Sequence, residues 1–335
     1  MRKKSVSPKF LLAILMINLL AQPIHCQAAD TQQDLEQSKK LSTIKETKIQ
    51  NGLTYSKLQW QGSTVHCLTV DAKNKSLRIT PYILEKVKEP SLSIFDSDAI
   101  FTVNGGFFNL SDGESTSYVS VDGKQMCEPK QNKALIENPK LKPFLPQIFD
   151  RSEIRFLKNQ KNEITVEIVK HSKPIQTGMK LESALQGGPQ ILPKLTSETE
   201  AFIRKDDKGK MQDSIGTKRK AARTAIGITD DGKIKILCAE GGKKKDFAEG
   251  VSLDDLAQMF QMLGCQSALN FDGGTSTAMV VNLQKLDEKN KAFFNEIGTP
   301  GLIPPDSGSP AQLIYGASPE RRVKSTLCIV EKPKK

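Results

Sequence analysis

The chain has 335 residues, of which 37% are hydrophobic and 26% are charged, and this composition predicts a globular protein of one large domain or two modest ones. Its formal net charge is +11, yet it has a single Trp and only 6% aromatic residues, and its lysines are scattered. Because no basic helix with interleaved aromatic residues is present, the sequence disfavours nucleic-acid binding.

Residues 1–28 have the layout of a secretory signal peptide. Four basic residues and no acidic residue accompany the apolar run 10–20, and a small-x-small cleavage pattern ends at Ala28, so cleavage lowers the formal charge from +11 to +7. The run is too short for a membrane-spanning helix. We therefore expect an exported protein, periplasmic, envelope-associated or secreted, with no stable membrane span after cleavage; an uncleaved anchor is the alternative.

One domain is predicted after a polar segment. Residues 29–55 are rich in Gln, Lys, Ser and Thr and predict a flexible lead-in. Strand patterns at Leu53–Trp60, 64–70 and 77–83 are separated by short turns, which indicates antiparallel pairing. No linker composition follows, so a single domain is expected over residues 56–331.

Residues 250–277 contain the clearest helix–strand pattern of the chain. Ser252 and Asp255 form a capping-box pattern before an apolar helical face, and Gly264 stands where that helix should end. A short buried strand then leads directly to Asp272. A carboxylate followed by glycines and hydroxyls after a strand is typical of a polar pocket. The alternative is a tight turn in which Asp272 only caps the backbone.

Paired glycines follow several other apolar strand patterns. Such pairs let the backbone bend sharply and let a ligand approach closely. A simple turn is again the alternative interpretation. The motifs are Asn104-Gly105-Gly106, Gly187-Gly188, Glu240-Gly241-Gly242 and Asp272-Gly273-Gly274.

Two polar stretches are predicted to be loops. Residues 196–220 are strongly charged, and residues 284–310 are polar and rich in Gly and Pro. Arg223 follows the first stretch at the head of an apolar strand pattern, where a buried arginine needs a carboxylate or phosphate partner. Together these patterns predict an α+β fold: a single large domain of mixed, mainly antiparallel β-sheet with a few packed helices.

Five cysteines remain after signal cleavage, and none has metal-binding spacing. One or two disulfides would fit an exported protein, although an odd count leaves one thiol unpaired within the monomer. Cys67, Cys238 and Cys328 lie in apolar runs and are predicted core residues. His66 and His171 belong to no metal motif and are predicted to be ordinary strand or surface residues.

Five motifs in this order resemble the phosphodiester glycosidase family over residues 60–330. The best-known members are lysosomal enzymes that remove N-acetylglucosamine from a phosphodiester on mannose, and the bacterial members are exported or envelope proteins. Phe271 stands where the family more often has Leu, and Thr275 where it often has Gly, which leaves substrate choice open. The motifs are NGGFF at 104–108, ALQGGPQIL at 184–192, RTAIG at 223–227, LGCQSALNFDGGTST at 263–277 and ERRVKSTLCIV at 320–330.

The resemblance implies hydrolysis of the glycosidic bond in a sugar-1-phosphodiester. The leaving phosphate needs charge neutralisation more than a strong acid, which Arg223 can supply. The oxocarbenium-like sugar centre needs a carboxylate as base or nucleophile, for which Asp272 is the first candidate and Glu240 the second. The predicted substrate-binding residues are Asn104, Gly105, Gly106, Gly187, Gly188, Gly273, Gly274, Thr275 and Ser276.

Metal dependence and catalysis itself stay open at this stage. Asp272, Glu240 and loop oxygens offer hard ligands for Ca²⁺ or Mg²⁺, yet no contiguous calcium-loop spacing is present, so no cofactor is certain. The main alternative to an enzyme is an envelope protein that binds an anionic glycan in the same pocket without turnover. A structural envelope protein tied in by disulfides is a further alternative.

Overall fold

The structure, a computed structural model, describes residues 40–242, 249–297, 311–317 and 319–332. The chain divides into two units, residues 1–40 and 41–335, and the described residues beyond Lys40 all lie in the second unit. The predicted signal peptide at 1–28 lies outside the described residues. Among the residues that the structure does describe, none of the helices has the length and apolar character that crossing a bilayer requires.

The second unit has the predicted α+β fold, in which the described sheets are antiparallel. A seven-stranded sheet, called sheet 1, has the order β1-β2-β3-β15-β14-β16-β11. Its strands are β1 (Ser42–Gln50), β2 (Leu53–Trp60), β3 (Ser63–Asp71), β15 (Lys233–Ala239), β14 (Arg223–Thr229), β16 (Cys265–Asn270) and β11 (Gln190–Leu192).

Two five-stranded sheets complete the framework. Sheet 2 has the order β18-β17-β5-β19-β4, and sheet 3 has the order β7-β6-β10-β8-β9. The strands of sheet 2 are β18 (Ala311–Tyr315), β17 (Met279–Asn282), β5 (Ala99–Asn104), β19 (Val323–Glu331) and β4 (Leu77–Lys88). The strands of sheet 3 are β7 (Lys124–Cys127), β6 (Val119–Val121), β10 (Lys180–Gln186), β8 (Ser152–Lys158) and β9 (Ile164–Lys170).

A small hairpin and short helices surround these sheets. The hairpin pairs β12 (Ile203–Lys205) with β13 (Met211–Asp213). The α-helices are α1 (Pro90–Ser97), α2 (Lys133–Ile136), α3 (Leu145–Phe149), α4 (Leu253–Met262) and α5 (Glu288–Ile297). Short 3-10 turns lie at Pro129–Gln131, Lys142–Phe144, Gly274–Ser276 and Leu283–Lys285.

The main core lies where the three sheets meet. Leu68 of sheet 1, Phe101 of sheet 2 and Ile154 of sheet 3 belong to one cluster of buried apolar side chains. A second cluster joins α4 to sheet 1 through residues such as Phe260, and a third joins α1 to sheet 2 through Ile94. Burial of these faces from water is the main contribution to stability, and it fixes the strand ends that form the candidate site.

Helix α4 forms as the sequence predicts. The Ser252 hydroxyl accepts a hydrogen bond from the Asp255 amide, and the Asp255 carboxylate accepts one from the Ser252 amide, which completes the capping box. Gly264 follows the helix with φ +76°, a left-handed conformation that glycine adopts without strain. The next strand, β16, therefore starts one residue later and delivers Asp272 beyond its end.

Two predicted irregular segments are partly regular. Ser42–Gln50, within the predicted lead-in 29–55, forms β1, because the two-residue Asn-Gly turn at 51–52 pairs it with β2. Glu288–Ile297, within the predicted loop 284–310, is helix α5. It buries Phe294 against Tyr55, with ring centroids 5.0 Å apart. Both predictions were wrong over these stretches because polar composition hid the hairpin turn beside β1 and the few buried residues of α5.

The five cysteines beyond the predicted signal peptide are all free thiols in the structure. Cys67, Cys238 and Cys328 are buried, which confirms their predicted place in the core. Burial raises the pKa of Cys67 to about 11 and that of Cys238 to about 12, so these thiols stay protonated and unreactive.

Candidate active site

The predicted site residues come together because strand ends of two sheets share one edge of the domain. In sheet 1, β14 begins at Arg223 next to the end of β15, and the same strand pairs with β16, which ends at Asn270. In sheet 2, β5 ends at Asn104 and pairs with the starts of β17 and β19. Since all these pairings are antiparallel, the loops that follow the strands lie beside one another.

Asn104 links the two sheets at this edge. Its side-chain Oδ1 accepts hydrogen bonds from the Thr224 hydroxyl at 2.6 Å and the Ala278 amide at 3.1 Å. Its Nδ2 donates to the main-chain carbonyl of Asp272 at 2.7 Å. Because the side chain is fully buried and both acceptor positions are used, Asn104 holds the loops in place.

Asp272 is half-buried just beyond the end of β16. Its Oδ1 accepts a hydrogen bond from the Gly273 amide at 2.9 Å, and its own amide donates to the Gly105 carbonyl at 3.2 Å. Burial raises the pKa of Asp272 to about 6, while a hydrogen bond from Ser276, the Gly273 amide and the positive charge of Arg321 act in the opposite direction. A carboxyl group that titrates near neutral pH suits proton transfer.

The predicted substrate-binding glycines hold the loops close together. A Cβ atom on Gly106 would lie 2.7 Å from the Gln186 carbonyl oxygen, and one on Gly187 would lie 2.5 Å from the Asn270 carbonyl oxygen. Their amides already have partners inside the protein, so their main contribution is a small size that lets the loops pack closely. Each amide has its own acceptor: Gly105 donates to Ser325 O, Gly106 to Ser325 Oγ, Gly187 to Ser152 O, Gly188 to Asn270 O, Gly273 to Asp272 Oδ1 and Gly274 to Ala222 O.

Two hydroxyl residues complete this loop. Thr275 is exposed, whereas Ser276 is buried and contributes the hydrogen bond that opposes the rise of the Asp272 pKa. Thr275 therefore has the freer hydroxyl for a ligand.

Glu240 lies beyond the end of β15 and is supported by a residue that sequence analysis had not assigned to the site. His66 Nε2 lies 2.8 Å from Glu240 Oε1, and His66 Nδ1 lies 2.7 Å from the Tyr55 hydroxyl. The Glu240 carboxylate can only accept, so Nε2 carries the proton and donates to it. In the neutral ring Nδ1 is then the acceptor, and the Tyr55 hydroxyl donates to it. The position of His66 in an apolar strand gave no sign of this partner.

Arg223 has different partners from those predicted. Its side chain is buried, and its Nη2 donates to the carbonyls of Gly216 at 2.6 Å and Arg219 at 2.9 Å. Nη1 donates to Ile215 at 3.0 Å, and Nε donates to Val251 at 3.3 Å. Four of its five N–H groups therefore bind main-chain oxygens. The expected carboxylate or phosphate partner is replaced by the charged segment 196–220, which Arg223 anchors.

Arg321 is the cation that acts on Asp272. Its positive charge lowers the Asp272 pKa, and its side chain is exposed. Within the described ranges Arg321 makes no hydrogen bond or ion pair, whereas its neighbour Arg322 pairs with Glu89 at 3.0 Å. Arg321 lies two residues before β19, the strand whose Ser325 binds Gly105 and Gly106. The motif ERRVK contained this residue, but its two adjacent arginines could not be told apart by sequence.

No metal cluster is found in the part of the chain that the structure describes: no three His, Cys, Asp or Glu side chains there group closely enough to hold an ion. The two candidate carboxylates are supported by a hydroxyl, an amide and a histidine. The predicted Ca²⁺ or Mg²⁺ thus has no ligand cluster among these residues, and metal dependence remains a prediction.

A family model described as phosphodiester glycosidase matches residues 97–300, more than half of the chain. The matched range includes Asn104, Arg223, Glu240 and Asp272. None of the curated proteins compared matches the chain.

Three solved structures have a similar fold. The catalytic domain of zebrafish N-acetylglucosamine-1-phosphodiester alpha-N-acetylglucosaminidase, auto-inhibited by its pro-peptide, is 14% identical, with a TM-score of 0.53 over 87% of this chain and 84% of that chain. A hypothetical protein from Synechocystis is 14% identical, with a TM-score of 0.53 over 84% of this chain and 62% of that chain. A Burkholderia pseudomallei protein, provisionally described as exported, is 13% identical, with a TM-score of 0.54 over 84% of this chain and 76% of that chain. At identities this low, the structural matches show a shared fold alone.

Proposed function

Because the chain belongs to the phosphodiester glycosidase family, we propose that it hydrolyses the glycosidic bond of a sugar-1-phosphodiester at Asp272. The name of the zebrafish enzyme makes N-acetylglucosamine-1-phosphodiesters the first substrates to test. The observation that carries the proposal is the half-buried Asp272 carboxyl group at the strand ends that Asn104 joins, with burial raising its pKa to about 6; Arg321, which has no ion-pair partner among the described residues, acts on it electrostatically. General acid–base chemistry on a negatively charged substrate needs these two groups.

In the proposed reaction, Asp272 acts as the base for an attacking water. The water oxygen bonds to the anomeric carbon while its proton passes to the Asp272 carboxylate. The bond between the anomeric carbon and the phosphate oxygen breaks, and its electron pair leaves with the phosphate. The products are a free sugar and a phosphate monoester, and Asp272 returns its proton to solvent. The phosphate is a good leaving group, so a strong general acid is not required.

We assign neutralisation of the phosphate to Arg321. It is exposed and unpaired among the described residues, and its charge already acts on Asp272. A cation aimed at developing negative charge stabilises the transition state more than the ground state. Arg223 supports the neighbouring loop by binding the main-chain carbonyls of Ile215 and Gly216.

Glu240 is the second carboxylate in the proposal. His66 and Tyr55 orient it, so it can stabilise positive charge at the sugar or exchange roles with Asp272. A separation of about 5 Å between the reacting carboxyl groups in a substrate complex would indicate retention, and about 6.5–9.5 Å would indicate inversion.

We further propose that the protein is exported. The layout of residues 1–28 supports this, and so does the description of the Burkholderia relative. N-terminal sequencing of protein from the envelope or culture fluid tests it. A chain that starts at or near residue 29 supports export, and a chain found only inside the cell with Met1 retained contradicts it.

The test of activity is sugar release from a panel of sugar-1-phosphodiesters. Wild-type protein and Asp272→Asn are compared, each with and without a chelator. Release by wild type and a loss of at least about 100-fold in Asp272→Asn support the assignment. Release that survives the chelator excludes an essential exchangeable cation. Full activity in folded Asp272→Asn contradicts the role of Asp272, and binding without turnover would indicate a glycan-binding protein.

A further inference from the structure

Arg151 is a buried cation beside the candidate site. It immediately precedes β8, and its side chain is only 9% exposed. Its Nε donates to the main-chain carbonyl of Glu200 at 3.0 Å, and its guanidinium carbon lies 3.8 Å from the ring centre of Phe202 and 5.9 Å from that of Phe107. The aromatic contacts and the Nε bond hold the guanidinium plane in one orientation.

The terminal nitrogens of Arg151 have no partner within the residues that the structure describes. They make no hydrogen bond, and no carboxylate oxygen lies within 4.0 Å. Neither nitrogen is among the enclosed polar atoms that lack a partner, so both reach solvent. Buried arginines are normally paired, so four N–H groups without a partner among the described residues indicate a place for an anion.

Charges of both signs surround Arg151. The buried Glu200 carboxylate acts on Arg151 by attraction, but no Glu200 oxygen forms an ion pair with it, and Oε1 accepts from the Ser152 hydroxyl at 2.7 Å and from Thr196. Arg204, also without an ion pair in the described structure, adds a second positive charge that acts on Arg151. Burial lowers the pKa of Arg151 to about 9, so the guanidinium still carries its charge at neutral pH.

Arg151 adjoins the two glycine pairs of the candidate site. The Gln186 side chain donates to the Arg151 carbonyl at 3.1 Å, and Gly187 donates to the carbonyl of the next residue, Ser152, at 3.0 Å. Phe107, which lies near the guanidinium, directly follows Gly106. Arg321, by contrast, belongs to the β19 side of the same glycine segment. The two arginines, neither of which has an ion pair within the described ranges, therefore flank the segment from different sheets.

We propose that Arg151 forms a second anion-binding subsite, which takes an oxyanion of the substrate other than the scissile phosphodiester. This rests on the proposed function, and it narrows the substrate to a sugar-1-phosphodiester that carries a further phosphate or carboxylate, as a repeating anionic glycan does. The planar guanidinium can bind either oxyanion with two parallel hydrogen bonds.

A binding experiment tests the subsite without requiring turnover. Inorganic phosphate and acetate are soaked separately into crystals of the wild-type protein, and their affinities are measured by calorimetry for Arg321→Gln and for the double variant Arg151→Gln/Arg321→Gln. We expect density at the terminal nitrogens of Arg151 and an affinity at least about tenfold weaker in the double variant. The probe that binds more tightly, phosphate or acetate, shows whether the second anionic group of the substrate is a phosphate or a carboxylate. Empty density at Arg151 with both probes overturns the proposal.

A kinetic experiment separates the subsite from the proposed function. Arg151→Gln and the charge-retaining Arg151→Lys are compared on two diesters that differ only by a second phosphate. We expect Arg151→Gln to raise KM at least about tenfold for the diester with the second phosphate. The KM for the diester without it should change by no more than about twofold. Equal effects on both diesters overturn the subsite. If no diester is turned over, the proposed function fails while the crystal and calorimetric results still decide on the subsite.

Thermal unfolding of each variant shows whether it folds. If Arg151→Gln does not fold, Arg151→Lys takes its place in both experiments, since it keeps the charge but loses the planar fork. Recognition by the planar guanidinium would be contradicted if Arg151→Lys bound phosphate as tightly as the wild type and kept an unchanged KM for the doubly anionic diester.

Discussion

The side-chain amide of Asn104 donates a hydrogen bond of 2.7 Å to the main-chain carbonyl of Asp272. Asn104 ends a strand of sheet 2, and Asp272 follows a strand of sheet 1. The backbone of the candidate catalytic carboxylate is thus fixed by a residue 168 positions away. Separate sheets can build one site because such buried polar bonds are costly to leave unmade.

Replacement of Asn104 by Ala should disturb both stability and activity. It leaves the Thr224 hydroxyl, the Ala278 amide and the Asp272 carbonyl without their buried partner. We expect a loss of about 3 kcal/mol in the free energy of unfolding and at least about tenfold in kcat/KM. Urea unfolding and steady-state kinetics measure these. Asn109→Ala, at a half-buried site in the same loop, is the control, and equal losses in both variants would argue against the linking role.

Activity should depend on the protonation of Asp272. Burial raises its pKa from 3.8 to about 6 in the folded protein, so the carboxylate form that accepts a proton from water is lost as pH falls through about 6. We expect kcat/KM to be constant above about pH 7 and to fall tenfold per pH unit below about pH 5.5. A pH–rate profile of the wild type measures this. A flat profile between pH 5 and 8 would refute Asp272 as the base.

The adjacent arginines offer a matched pair of variants. Arg321 is unpaired in the described structure and acts on Asp272, whereas Arg322 forms an exposed ion pair with Glu89. We expect Arg321→Gln to lower kcat/KM about 100-fold with an unchanged unfolding midpoint. Arg322→Gln should stay within about twofold, because exposed ion pairs contribute little. Similar kinetics for both variants would remove Arg321 from the site.

The Tyr55–His66 pair should act through Glu240. Tyr55→Phe removes the hydroxyl that donates to His66 Nδ1, so the ring loses the bond that fixes its orientation toward Glu240. We expect kcat to fall by on the order of tenfold with little change in KM. Tyr82→Phe is the control, because its partly exposed hydroxyl has no hydrogen bond among the described residues. If both variants keep full activity, His66 does not position a catalytic group.

Local patterns predicted the elements that carry the site. The capping box at Ser252 and the glycine at 264 bound α4, and the short apolar run after it is β16, which leads to Asp272. Each of these signals lies within a few residues of the feature that it predicts. The antiparallel fold followed from the same kind of evidence, since hairpin turns and strand patterns are local.

The partners of the site residues could not be predicted in the same way. Arg223 binds main-chain carbonyls, which every residue has and which no side-chain pattern encodes. His66 reaches Glu240 across 174 positions because β3 pairs with β15. The Asn51-Gly52 turn that pairs β1 with β2 is a local signal, which the polar composition of the segment hid from the sequence analysis. Of these cases, only the His66 contact was decided by long-range strand pairing.

Hydrolysis in ¹⁸O-water tests the central claim most directly, because it identifies which bond breaks. An N-acetylglucosamine-1-phosphodiester is the first substrate, and both products are analysed by mass spectrometry with Asp272→Asn as the control. We predict that the label enters the sugar hydroxyl and that the phosphate monoester stays unlabelled, since water attacks the anomeric carbon. Label in the phosphate would show cleavage between phosphorus and oxygen and would contradict a glycosidase.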